Sequence, residues 1–270
     1  MVYYRLFLLL WFMVITSSKV LSQTGTSMLP VKVSHAEPVF FDLIRDLGAR
    51  KGERELNVGM GMISTNAYTI QSYLVEYEFA PVNRLGVEIE LPFSFHKVPD
   101  SEDLAHEKTD TGLEGIKAAF QYSFLVSEKH QATLAIGYIY EMHGKGFDML
   151  HYSGSTHNPF FIVAKRWGRF HTLLYTGPLF ESGQQHHLQS LIINTNIDYV
   201  LPGTKNFIGI EFNKEITKEK LSMVVRPQVK MALSNQIALG LAIGIPTAHT
   251  EEKLDFLLRW IYEPRKKISR

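Results

Sequence analysis

The acids of this 270-residue sequence recur two residues apart, as Glu76 with Glu78 and Glu88 with Glu90. A spacing of two sets side chains on one face of a β-strand, so each pair presents two carboxylates to one side of a sheet. Other charges share the inward phase of their own alternating runs: Lys117, Glu141, Asp198, Glu211, Arg226, Lys230, Asp255 and Arg259, with Arg84 and Lys165 assigned to the same side. Acidic and basic groups lining a confined space select ions. Paired with one another, the same groups merely fill it. Glu76, Glu78, Glu88, Glu90, Lys117, Asp198, Glu211, Arg226, Lys230 and Arg259 are the candidate selectivity groups.

Histidine is the second chemical signal. His96, His106, His143, His151, His157, His186, His187 and His249 fall in polar stretches between the runs. Loop imidazoles could capture transition metals, yet no HExxH-type spacing occurs, and neither a metal nor another cofactor is expected. His171, beside Thr172, is the mid-run histidine that a lipid-modifying enzyme could use as a base. The sequence holds no GxSxG elbow, no GxxxxGK[ST] loop and no dinucleotide fingerprint, so it does not read as an enzyme.

Composition narrows the classes further. Lys and Arg total 28 against 27 Asp and Glu, a formal net charge of +1 that provides no field to recruit nucleic acid. With Cys at 0, disulfides, thiolate metal sites, thiol nucleophiles and an acylated lipoprotein anchor are excluded. Residues 1–22 have the parts of a secretory signal: Arg5, an apolar run Leu6 to Ile15, and the small residues Val20 and Ser22 before the cut. That run of about ten residues is too short for a spanning helix of roughly 20.

The elements that must position these groups follow from periodicity. Residues 23–53 hold a polar lead and HAEPVFFDLIRDLG, whose Val39, Phe40, Leu43, Ile44 and Leu47 recur at three and four residues, predicting a short helix able to plug a lumen. From Leu56 the period becomes two. Leu85, Val87, Ile89 and Leu91 alternate with Gly86, Glu88 and Glu90, and Ile237 to Ile245 alternates with Ala238 to Gly244. About twelve such runs, each of roughly 9 to 11 residues, span 54–262, and a basic tail occupies 263–270. Their connections alternate long (His96 to Thr111, Met142 to Asn158) and short (Ala80 to Asn83, Trp167 to Arg169). Length, parity and loop alternation predict an all-β, transmembrane, antiparallel up-and-down barrel.

The runs GVEIELPFSF from Gly86, GLEGIKAAFQYSFL from Gly112 and PFFIVAKRWG from Pro159 resemble outer-membrane β-barrel proteins, with the transporters labelled MetA pathway of phenol degradation as the nearest family. The resemblance implies a Gram-negative outer-membrane location, reached after export, with membrane lipid and a small solute as partners. Passive passage of that solute is the expected role. A closed structural barrel, or one whose loops bind partners or metal, is the alternative, and a lipid-modifying barrel enzyme the remaining one.

Overall fold

The computed structural model describes residues 29–41, 43–65, 69–97, 112–144, 154–182, 189–248 and 252–264. Residues 1–22, read above as a secretory signal, and the basic tail beyond Pro264 lie outside them. The unit from Val31 onward contains β1 (Arg54–Thr65), β2 (Thr69–Val82), β3 (Leu85–Lys97), the two-residue β4 (Gly112–Leu113), β5 (Gly115–Ser127), β6 (Ala132–His143), β7 (Gly154–Trp167), β8 (Phe170–Ser182), β9 (Gln189–Val200), β10 (Phe207–Ile216), β11 (Leu221–Ala232), β12 (Ile237–Ala248) and β13 (Glu252–Tyr262). Sequential strands pair antiparallel, β3 also taking β4 at its far end, and β1 pairs with β13 to close a 12-strand barrel.

The period of two becomes a division between two faces. Val58, Met60, Val75, Tyr77, Ile89, Phe120, Ile136, Ile197, Ile208 and Ile245 stand exposed on the outside, while Glu55, Asn57, Glu76, Glu78, Gln121, Ser123, Asn196, Asp198, Gln228 and Asp255 are buried inside. Closure leaves no unpaired strand edge, and an apolar exterior around a polar interior is the polarity of a barrel bathed in lipid. The short turns lie at one end, including Trp167 to Phe170, where Gly168 takes φ 64.

The N-terminal segment departs from the expected helix. Between Val31 and Arg50 no described residue is helical. Its backbone N–H groups donate to barrel side chains instead of to carbonyls four residues back: Ala36 to His171 Nδ1 (2.6 Å), Val39 to Gln228 Oε1 (2.7 Å), Phe40 and Phe41 to the two oxygens of Glu211, Arg45 to Glu78 Oε2 (2.7 Å) and Gly48 to Ser123 Oγ (2.8 Å). A helix this short gains little from its own hydrogen bonds, and the lumen offers acceptors already in place. Arg45 takes φ 63, reversing the chain where a helix would continue.

The apolar stripe read from the sequence still has a purpose. Leu43, Ile44 and Leu47 of the stripe, joined by Phe41, pack on Ala119, Ala135, Phe160, Ile162, Ala164, Leu173 and Tyr175, and Val39 with Ala36 packs on Phe207 and Ala242, whereas Phe40, read into the same stripe, is exposed because the chain is not helical here. Both limbs of the segment leave by the short-turn end. Arg84 N–H donates to the Ala49 carbonyl and Gly52 N–H to the Ala80 carbonyl, fastening one limb to the β2–β3 turn. His35 and Glu37, on the other limb, border a cavity beside Gly168, Gly203 and Gln236.

Candidate functional site

Strand register builds an acidic wall. Glu55 faces Glu78 and Asn57 faces Glu76 across β1 and β2, while Glu78 faces Glu88 and Glu76 faces Glu90 across β2 and β3. Like charges opposed in this way repel unless cations or hydrogen bonds compensate them. Arg45 and Lys117 provide the cations. Arg45, 2% exposed, reaches Glu55 and lies 3.6 Å from Glu78; Lys117 Nζ lies 3.1 Å from Glu88 and bonds Glu90. Asn57 Nδ2 donates to both Glu76 (2.7 Å) and Glu78 (3.0 Å). Oxygens of Glu76, Glu88 and Glu90 lie within 4.8 Å of one another, and the Lys117 ammonium already bridges two of the three.

The facing wall is mixed. Arg226 bonds Asp255 and donates to Asn213 (2.6 Å), and its guanidinium stacks 3.4 Å from the Phe40 ring. Gln228 donates to Asp198 (2.8 Å), and Lys230 Nζ lies 2.8 Å from Glu37. Eight of the ten candidate groups, Arg259 among them, are buried, and Lys117 and Lys230 reach inward to Glu88, Glu90 and Glu37, so all ten have inward side chains. Arg84 and Lys165 do not. Arg84 occupies the β2–β3 turn at φ 70, and the Lys165 ammonium lies 4.8 Å over Trp167, on the face opposite buried Ala164. His171 points inward to the segment's N–H, away from any acyl chain in lipid.

Among the loop histidines, His106, His151, His186, His187 and His249 lie outside the described residues, as does the His96 side chain. His143 and His157 are strand residues rather than loop residues, at the end of β6 and near the start of β7: His143 bonds Thr156 (2.6 Å), and His157 is held between Tyr138 (2.7 Å) and Ser155 (3.0 Å). These contacts tie β6 to β7 and bring no two imidazoles onto one point. Sequence reasoning missed Glu37, Arg45 and Glu55. Arg45 reads in the sequence as part of the polar side of the segment, next to Asp46, and nothing along the chain pointed it at Glu55.

Charge compensation makes the acidic wall sensitive to one lysine. Replacing Lys117 with Met leaves Glu76, Glu88 and Glu90 to face one another in a buried setting, where breaking a pair costs about 3–5 kcal/mol. The expected outcome is a lower urea midpoint for barrel unfolding, followed by gel mobility. An unchanged midpoint overturns the assignment.

A second latch sits at the short-turn mouth. Lys32 bonds Asp46 and lies 2.9 Å from Glu53. Burial alone would lower the Lys32 ammonium, and Asp46 and Glu53 reverse this and raise it. Burial would likewise raise Asp46, but Lys32 and Arg45 hold its carboxyl below the usual range. For Arg45, Asp46, Glu55 and Glu78 outweigh burial and keep it charged. Burial, then His171 and Arg166, push the His35 imidazole down to about 4, against a smaller opposite pull from Asp46. Neutral His35 shares a proton with Thr133 Oγ1 (3.0 Å).

The sign of the pH response follows. Between pH 6.5 and about 4 the undocked segment binds more protons at His35 than the docked one, so docking is strongest above 6.5 and weakens as pH falls through that window. Asp46, depressed when docked, withdraws its contribution as pH falls further, through the carboxylate range. Limited proteolysis of the segment in detergent should be slow at pH 7.5 and faster at pH 4.5, with the barrel intact at both. Equal rates would show that His35 does not report docking.

Residues 31–263 match a family model described as HAEPLYID-like. The chain belongs to that family. The family's name reads as a peptide, and in this HAEPLYID-like chain the corresponding string is HAEPVFFD, His35 to Asp42, whose residues His35 to Phe41 lie in the limb that enters the lumen. No curated protein matches the sequence significantly. Among solved structures the chain is similar to the KdgM porin, at 12% identity over 78% of this chain and 99% of that one, with a TM-score of 0.56. It is also similar to the COG4313 outer membrane channel from Pseudomonas putida F1, at 12% identity over 80% and 96% of the two chains, with a TM-score of 0.59. At such identity the likeness is one of fold: an outer-membrane β-barrel.

Proposed function

We propose that this protein is an outer-membrane channel for a small solute and that its own segment, Val31 to Arg50, closes the lumen. The observation that carries the reading is the set of N–H donations from the segment to inward side chains on β2, β5, β8, β10 and β11. The barrel thus offers a polar interior, and the chain itself occupies that interior from the short-turn end. Export by the leader at 1–22 and lodging in the outer membrane belong to the same proposal. The resemblance to transporters labelled MetA pathway of phenol degradation supports transport as the class of activity. The inward charges set which solutes pass once the segment is displaced.

A reversible lock tests the closure. A Cβ built at Gly240 lies 3.6 Å from the Val39 Cβ, within the roughly 3.5–4.5 Å that a disulfide bridges. The chain has no cysteine, so Val39→Cys with Gly240→Cys creates a single bridge from segment to wall. Placed in full-length protein that also carries Arg45→Ala, the oxidised bridge should silence planar-bilayer current and reduction should restore it. Current that ignores the state of the bridge would remove the segment from the closure. A silent, correctly inserted barrel in both states would favour the structural or loop-binding alternative.

A further inference from the structure

We infer that the lumen is a binding site for short zwitterionic peptides, and that Val31 to Arg50 closes it as an intramolecular occupant of that same site. The consequence for passage rests on the channel reading above; the ligand class rests on the lumen's own geometry.

Three features define the class. The first is recognition of a polypeptide backbone. Glu211 accepts the N–H groups of two consecutive residues, Phe40 at 2.9 Å and Phe41 at 3.3 Å, one on each carboxylate oxygen. Gln228 takes the N–H of Val39, and Gln121 Nε2 donates to the Arg45 carbonyl at 3.1 Å. Contacts to successive amides do not depend on the occupant's side chains.

The second feature is separation of charge. The acidic wall of β1–β3 holds a guanidinium, Arg45, whereas Lys230 on β11 holds a carboxylate, Glu37. An occupant with one cation and one anion satisfies both sides, while a polyanion meets Glu55 and Glu78, which hold no cation once Arg45 is gone. The third is an aromatic slot. Phe160 and Tyr175 stack at 4.8 Å, and Phe41 packs 5.5 Å from Tyr175.

Tethering explains why the chain's own segment prevails. A linked occupant has an effective concentration near millimolar, so a free peptide of equal intrinsic affinity competes poorly with it. Loosening the segment while keeping the full chain exposes the site.

The test uses full-length Arg45→Ala protein in detergent, with binding followed by fluorescence anisotropy and, separately, by block of bilayer current. The probes are a nonapeptide with the sequence of Glu37 to Arg45, a glycine-rich octapeptide bearing one Glu and one Arg, an all-Glu octapeptide and a neutral glucose oligomer. Both zwitterionic peptides should bind at least tenfold more tightly than the other two probes. Gln228→Leu, added to the same chain, should weaken them at least fivefold. Equal binding of all four probes overturns the inference, as does binding of the nonapeptide alone or binding indifferent to Gln228. If peptides bind as expected but no current flows through any variant, the inference stands and the channel reading falls. Current without preferential peptide binding has the opposite meaning.

Discussion

Full-length Arg45→Ala protein will conduct across a planar bilayer where the wild-type chain is nearly silent. Arg45 is 2% exposed, and its guanidinium meets Glu55, with Glu78 and Asp46 at 3.6 and 3.4 Å. Removing one partner of a buried ion pair costs about 3–5 kcal/mol, because the abandoned charge remains out of water. Here Glu55 and Glu78 belong to the barrel, and the cation, with Asp46 beside it, to the segment. The abandoned carboxylates are relieved when the segment leaves and water enters, so the loss falls on docking and leaves the strand pairing intact. A shift of about 3 kcal/mol changes the docked-to-undocked ratio by roughly a hundredfold. Single-channel recording measures it as open probability, with gel mobility confirming an intact barrel. Wild-type silence in Arg45→Ala would mean that the guanidinium does not hold the segment in place.

Gly86→Val should open the channel by a different route, through shape. Gly86 lies on the inward face of β3, paired with Gln121 of β5, and the segment passes directly over it. A Cβ added there would meet the Ile44 carbonyl and lie 2.8 Å from the Arg45 Cβ. A rotamer change cannot move a backbone carbonyl aside, so segment and side chain exclude each other. The barrel bears no comparable conflict, since no strand atom is among the nearest neighbours of that Cβ. Gly137 is the informative contrast. Its Cβ would strike Phe160 and the Phe120 carbonyl, which are parts of the wall itself. Gly137→Ala is therefore expected to lower barrel stability, and Gly86→Val to raise conductance with stability little changed. Loss of the folded barrel in Gly86→Val would refute this division.

Much of this architecture is legible without coordinates, and the reason is local. In a strand, side-chain direction alternates strictly with residue number, so Glu76, Glu78, Glu88 and Glu90 share a face wherever the strands lie. The run lengths and the alternation of connections likewise follow from the chain alone, because a closed antiparallel barrel demands them. Errors came where alternation weakens. Lys165 sits near a strand end, on the apolar face, with its ammonium over Trp167. Arg84 belongs to a tight turn whose φ 70 takes it out of phase with Gly86.

The segment from Val31 to Arg50 marks the boundary between the two kinds of knowledge. Its apolar spacing states correctly that Val39, Leu43, Ile44 and Leu47 are buried and wrongly that Phe40 joins them, because the same spacing suits a helix and an irregular run of chain equally well. Conformation was decided by acceptors more than 30 residues away in sequence: Glu78 for Arg45, Ser123 for Gly48, Glu211 for Phe40 and Gln228 for Val39. Sequence by itself determined the barrel, the sidedness of its charges and the burial of the segment, since each depends on neighbours along the chain. Only the tertiary structure decided that the lumen accepts the backbone N–H groups of a non-helical segment and that Arg45 completes the acidic wall, because those interactions exist only once the barrel has closed around them.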